Sequence, residues 1–203
     1  MGEKYPFDLP KSTKHLITFF VLTNMNQLIS VQSLLDIPKE YRQTPITRLL
    51  EYHNLKKPLD ELENPEMIIG TCVDNRIQIN FPRKFAYMVR AGGANMKYST
   101  FKISYAVFFL EVKYMALIGH TQCGMSNLIA RKDQFIQGLV KTAGWSLQQA
   151  EEHFTKDSPD SEIGNEIEFI LKESKRLRKL YPKIQVVPMM YLVEDSKLYF
   201  IKE

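Results

Sequence analysis

From Met67 onward the chain alternates short apolar runs with longer stretches whose apolar residues recur every three or four positions. The runs at 67–71, 85–89, 114–119 and 184–191 are continuous rather than alternating and end in glycine or polar residues, as strands buried on both faces do. Between the second and third runs, 99–112 has helical spacing. Before the fourth, helical stretches begin near Met125, Ser146 and Glu162. Strand, helix, strand order predicts an α/β fold, a mostly parallel sheet flanked by helices. After Tyr191 the turn Glu194-Asp195-Ser196 leads into 197–201, which is expected to pair back as an antiparallel C-terminal edge strand. Ligands of such sheets collect beyond the carboxyl ends of the strands.

Residues 1–64 follow another pattern. Thr44-Pro45 offers an N-cap followed by proline at the first helical position, and Ile46, Leu49, Leu50 and His53 then fall at helical spacing. His53 reads as an ordinary helix-face residue. The expected division is a helical N-terminal arm over 1–64 and one globular unit over 65–203. The run Leu16-Ile-Thr-Phe-Phe-Val-Leu22 is too short to cross a bilayer, has no cleavage pattern after it, and is expected to be buried in a core or an interface.

Composition narrows the class. A chain of 203 residues, 44% of them hydrophobic, can bury one continuous core without disulfide staples. The 27 Lys and Arg against 23 Asp and Glu are spread out except around Lys172 to Lys183. There Ile167, Ile170, Leu171, Leu177 and Leu180 make a helical stripe, so the charges read as a solvated helix face, and neither a nucleic-acid nor a membrane partner is expected. Two cysteines in a chain of this length point to a reducing compartment, and the protein is expected to be soluble and cytoplasmic.

Both cysteines fall just beyond predicted strand ends, in Gly70-Thr-Cys72-Val-Asp74-Asn-Arg76 and in Gly119-His120-Thr-Gln-Cys123-Gly124-Met125. Thiolate and imidazole suit zinc, and a catalytic zinc takes three protein ligands with a fourth position open to water. Cys72, His120 and Cys123 supply three. Gly119 and Gly124 would allow the sharp turn that brings His120 and Cys123 together, through their freedom at positive φ. Two buried structural thiols, a Cys-His thiol catalyst or a regulatory Cys72–Cys123 disulfide are the competing readings. Asp74 and Arg76, two residues apart, can form a charge-assisted pair in which Arg76 keeps Asp74 ionised and off the metal. Otherwise they are an ordinary surface ion pair.

The order Cys-x-Asp-x-Arg, an Arg-x-x-Gly loop, then His-x-x-Cys-Gly resembles the β-carbonic anhydrases, over a span from about Met67 to the C-terminus. The 48 residues from Cys72 to His120 are filled as that family implies, and His120-Thr-Gln-Cys-Gly-Met125 is especially close to its shorter prokaryotic members. Gly164-Asn165-Glu166 and the 184–200 hairpin add to the likeness. Two positions depart from it: Asn75 stands where the family usually has serine, and Arg90-Ala-Gly-Gly93 replaces Arg-Asn-Ala-Gly.

The resemblance implies reversible hydration of carbon dioxide to bicarbonate by zinc-bound hydroxide. Cys72, His120 and Cys123 would hold Zn2+, Asp74 and Arg76 would be catalytic, and Asp74 would become a fourth ligand in a closed state. Gly93 and Gly124 are the substrate-pocket candidates, and the assembly implied is a homodimer or higher oligomer. The same metal set would also serve a carbonyl sulfide or carbon disulfide hydrolase, or a non-catalytic zinc or bicarbonate-binding protein.

Overall fold

The computed structural model describes residues 27–203, so the 16–22 run lies outside the described residues. Among these, six strands form one sheet: β1 (Leu28–Ser30), β2 (Met67–Thr71), β3 (Ala86–Arg90), β4 (Tyr114–His120), β5 (Gln185–Leu192) and β6 (Lys197–Ile201). Their order is β1-β6-β5-β4-β2-β3. The β2–β3, β2–β4 and β4–β5 pairings are parallel, and β5–β6 and β1–β6 are antiparallel. Every residue of β2 is buried, and all of β4 after Tyr114, which is why these runs carry no polar alternation.

Among the described residues five α-helices flank the sheet: α1 (Pro45–His53), α2 (Thr100–Leu110), α3 (Lys132–Ala143), α4 (Leu147–Ser161) and α5 (Glu166–Leu180). One core cluster packs α1 residues Ile46, Leu49 and Leu50 with Ile69, Ile118 and Met189. A second packs α2 residues Ile103 and Ala106 and α5 residues Ile167, Ile170 and Leu177 with Ile68, Leu117 and Met190.

Several expectations are corrected. Strand β6 is not the sheet edge, because Leu28 to Ser30 pair along its outer side, with Ile29 opposite Phe200. Strand β1 is three residues long with no periodicity of its own; its partner 171 residues away defines it. The helix expected near Met125 begins only at Lys132, after a single 3-10 turn at Ile129–Arg131. The helix expected near Glu162 begins at Glu166, because Glu162 turns back as an acceptor for the Asn127, Leu128 and Gly164 amides. Asn165 caps α5 instead, accepting from the Glu168 amide at 3.0 Å. At the start of α1, Pro45 takes the first position as expected. The Thr44 hydroxyl makes no cap bond there and donates to the Tyr41 carbonyl at 2.5 Å. In the basic run of α5, Arg176 pairs with Glu173 and Arg178 with Glu203, and Leu180 is exposed.

His53 is more than a face residue. It is 1% exposed, accepts from the Asn80 amide through Nδ1 at 3.0 Å, and faces the Ser196 carbonyl oxygen with Nε2 at 3.0 Å. An amide only donates and a carbonyl only accepts, so Nε2 carries the proton. Burial, aided by the nearby Lys56 charge, pushes its pKa down to about 4, and the ring is neutral.

Candidate metal centre

The chain leaves β2 for β3 on one side and returns to β4 on the other, so the carboxyl ends of β2 and β4 form the point where strand order reverses. Thr71 fastens these ends, its Oγ1 donating to the Ile118 carbonyl at 3.0 Å. Cys72 follows β2 directly and His120 ends β4. Gly119 sits where a Cβ would lie 2.5 Å from Ile170 Cγ1, so α5 can approach the strand only over glycine. The reversal after β4 uses neither Gly119 nor Gly124 at positive φ; Gln122 takes the left-handed conformation at φ 59. The role expected of the two glycines is therefore corrected: the turn is made between His120 and Cys123, and Gly119 is needed for packing.

This geometry brings Cys72, His120 and Cys123 together, all three buried, with their ligating atoms within 4.8 Å of one another. His120 Nδ1 lies 2.9 Å from the Thr121 carbonyl oxygen and must donate to it. That leaves a lone pair on Nε2, which is buried and has no hydrogen-bond partner. An orphaned buried nitrogen beside two sulfurs is costly unless a third party satisfies it. The donor set therefore fits a thiophilic metal ion.

The two thiols are hydrogen-bonded to each other. A hydrogen bond from Cys123 draws Cys72 below the ordinary thiol range, against its burial and with help from His120, while the same contact and burial push Cys123 up. Both must be anionic to ligate, so metal uptake has to release the proton they share. The Gly93 amide also donates to Cys72 Sγ, at 3.2 Å. Gly93 has φ +61 and a Cβ there would meet Ile163 Cγ2 at 2.6 Å, so this amide reaches the sulfur only from a glycine. A Cβ on Gly124 would meet only Arg131 Nη1, at 3.8 Å, so the space beside it is open.

Asp74 and Arg76 form a two-point pair beside these donors, with Nε 3.0 Å from Oδ1 and Nη2 2.8 Å from Oδ2. The Arg76 side-chain hydrogen bonds hold the Asp74 carboxyl below the usual carboxylate range. Asn75, between them, is exposed.

The supporting residues were harder to read from the sequence. Arg90 braces the loop at both ends, donating to the carbonyls of Cys72 at 2.9 Å and Ile77 at 3.2 Å. Glu166 accepts from the Cys123 amide at 3.2 Å; its place in Gly164-Asn165-Glu166 was the one available signal. Glu194, from the β5–β6 turn, binds Thr121 and Gln122. No local motif marks it.

No protein-family model matches the sequence, and none of the curated proteins compared with it does. Solved structures do match. The β-carbonic anhydrase isoform I of Trichomonas vaginalis aligns with a TM-score of 0.57 at 20% identity, over 74% of this chain and 91% of that one. A carbonic anhydrase from Streptococcus mutans gives 0.53 at 15% identity, over 81% and 99%. One from Glaciozyma antarctica gives 0.51 at 19% identity, over 95% of each chain. At these identities the likeness is one of fold, and the fold of this chain is that of the β-carbonic anhydrases.

Proposed function

We propose that this chain is a zinc-dependent β-class carbonic anhydrase that interconverts carbon dioxide and bicarbonate, with Cys72, His120 and Cys123 as the metal ligands. The observation that carries the reading is the His120 imidazole, whose Nδ1 is committed to Thr121 while the buried Nε2 is left unpartnered beside both sulfurs. Three such ligands are the count of a catalytic zinc site, which keeps its fourth position open. When bound, the ion supplies Lewis acidity that lowers the pKa of a coordinated water toward neutrality.

The chain's own residues supply the rest. Asp74, ionised under the hold of Arg76, would accept a hydrogen bond from the attacking hydroxide, a water that has given one proton up to solvent, and so orient a lone pair of that oxygen toward carbon dioxide. Arg76 keeps that carboxylate from taking the fourth position itself. The Gly93 amide steadies the Cys72 thiolate, and the open space at Gly124 leaves room for a small substrate. Two thiolates offset the charge of the ion, so activity belongs on the alkaline side of neutrality.

We assign the working form as a homodimer. The outward face of α2 carries Phe101, Tyr105, Phe108 and Phe109 at helical spacing, exposed by 83, 49, 77 and 66%. Four exposed aromatic side chains on one helix face support a protein contact, and a second copy of the chain would supply a self-complementary partner. No described helix is long and apolar enough to cross a membrane, and the reduced thiols of the site suit the cytoplasm.

The experiment is a comparison of wild type with Asp74→Asn. The variant should keep its metal and lose roughly a hundredfold in carbon dioxide hydration. Undiminished turnover would remove Asp74 from the reaction, and parallel assays with carbonyl sulfide would identify a hydrolase on the same site.

A further inference from the structure

Arg76 is held on a second side. Its Nη1 donates to Gln122 Oε1 at 3.3 Å and its Nη2 to the Gln122 carbonyl oxygen at 2.9 Å. The far end of the same side chain is fixed too: Gln122 Nε2 donates to Glu194 Oε1 at 2.8 Å. The other oxygen of Glu194 accepts from Thr121 Oγ1 at 2.8 Å, and that hydroxyl accepts from the Val193 amide at 3.0 Å. A side-chain amide between a cation and an anion has one satisfactory orientation, oxygen to the guanidinium and nitrogen to the carboxylate. The neighbouring charges therefore set which way Gln122 points.

Gln122 does this from φ 59, where glycine would be unstrained and glutamine is not. Seven other described non-glycine residues share that region, so the conformation alone assigns nothing. The bridging amide is the independent observation. A glycine at this place would make the same turn between His120 and Cys123 and would leave Arg76 held by Asp74 and one backbone carbonyl.

We propose that Gln122 is a positioning residue, a relay that couples the Glu194 carboxylate to the Arg76 guanidinium and fixes its plane against Asp74. Rotation about the Arg76 Nε–Cζ bond must then break contacts on both sides, to Asp74 and to Gln122, and not on the Asp74 side alone. The negative charge of Glu194 acts on Arg76 in the same sense. The consequence for turnover rests on the proposed carbonic anhydrase reading; the constraint on Arg76 does not.

The test is guanidinium NMR on the full-length protein as purified, measuring rotation about the Arg76 Nε–Cζ bond, with hydration kinetics and metal content on the same samples. Gln122→Met removes the amide but keeps the bulk and the strained backbone, whereas Gln122→Gly removes the strain as well and guards against a folding defect. Both should speed the rotation about tenfold, the loss expected of a charge-assisted hydrogen bond, and Glu194→Gln should move it in the same direction by less. Metal content should stay at the wild-type value and kcat should fall about tenfold with KM little changed. Wild-type rotation in both Gln122 variants would overturn the relay. Faster rotation with undiminished kcat in an active enzyme would overturn the positioning role. Faster rotation in a protein whose wild type has no hydration activity would uphold the relay and sink the carbonic anhydrase reading.

Discussion

Arg76 grips Asp74 at three points: Nε and Nη2 reach the two carboxylate oxygens at 3.0 and 2.8 Å, and the Arg76 amide adds a bond to Oδ1 at 2.9 Å. The grip keeps an anion poised beside the donor set without committing it there. Arg76→Ala removes every side-chain bond of this grip and leaves the carboxylate free to compete for the fourth metal position. The expected outcome is an inactive protein with wild-type metal content, and a metal-resolved structure of the variant should show Asp74 turned toward the ion. An active Arg76→Ala would contradict the gating role.

The ligand set is checked by composition. Cys72→Ser and Cys123→Ser should each lose most of the bound zinc, because a serine hydroxyl stays protonated and ligates poorly at neutral pH. Elemental analysis of folded, purified variants decides it. Full zinc occupancy in either would remove that residue from the centre.

These expectations start from residues that were legible in the sequence. Cys72, His120 and Cys123 could be grouped because each lies within four residues of an apolar run that reads as a buried strand. The motif spacing is also local enough to survive without tertiary information. Strands β2 to β6 were legible for the same reason, to within about two residues. What was not legible depends on distant partners. Strand β1 exists because of β6, and His53 is fixed by Asn80 and by Ser196. Glu194 reaches the site only because the β5–β6 turn stands beside the turn after His120. The left-handed turn at Gln122 went unread because the neighbouring glycines offered an easier account that the backbone does not use.

His53 gives a pH-dependent prediction away from the candidate metal centre. Its pKa is depressed from 6.5 to about 4 in the folded chain, so between those values the unfolded chain binds the extra proton. Stability contributed by the neutral ring is complete above pH 6.5 and is lost as the pH falls toward 4, by an amount on the order of 3 kcal/mol. His53→Gln, which can still accept and donate, should flatten the fall in denaturation free energy across this window relative to wild type. An identical slope in the two proteins would mean that His53 is not buried as described.

Self-association is tested on α2. Phe101→Ser combined with Phe108→Ser should shift the protein from dimer to monomer in sedimentation at micromolar concentration. The separate core under α2, built on Ile103 and Ala106, is untouched by these changes, so the monomer should keep its helical spectrum. A variant that sediments as wild type would move the interface elsewhere.

Buried Cys72, His120 and Cys123 are expected to hold one zinc ion that supports carbon dioxide hydration. The most direct measurement is stopped-flow hydration at alkaline pH with elemental analysis of the same preparation. The expected result is one zinc per chain and a hydration rate that vanishes on chelation and returns with zinc. A fully zinc-loaded protein that does not hydrate carbon dioxide, or an active one free of metal, would contradict it.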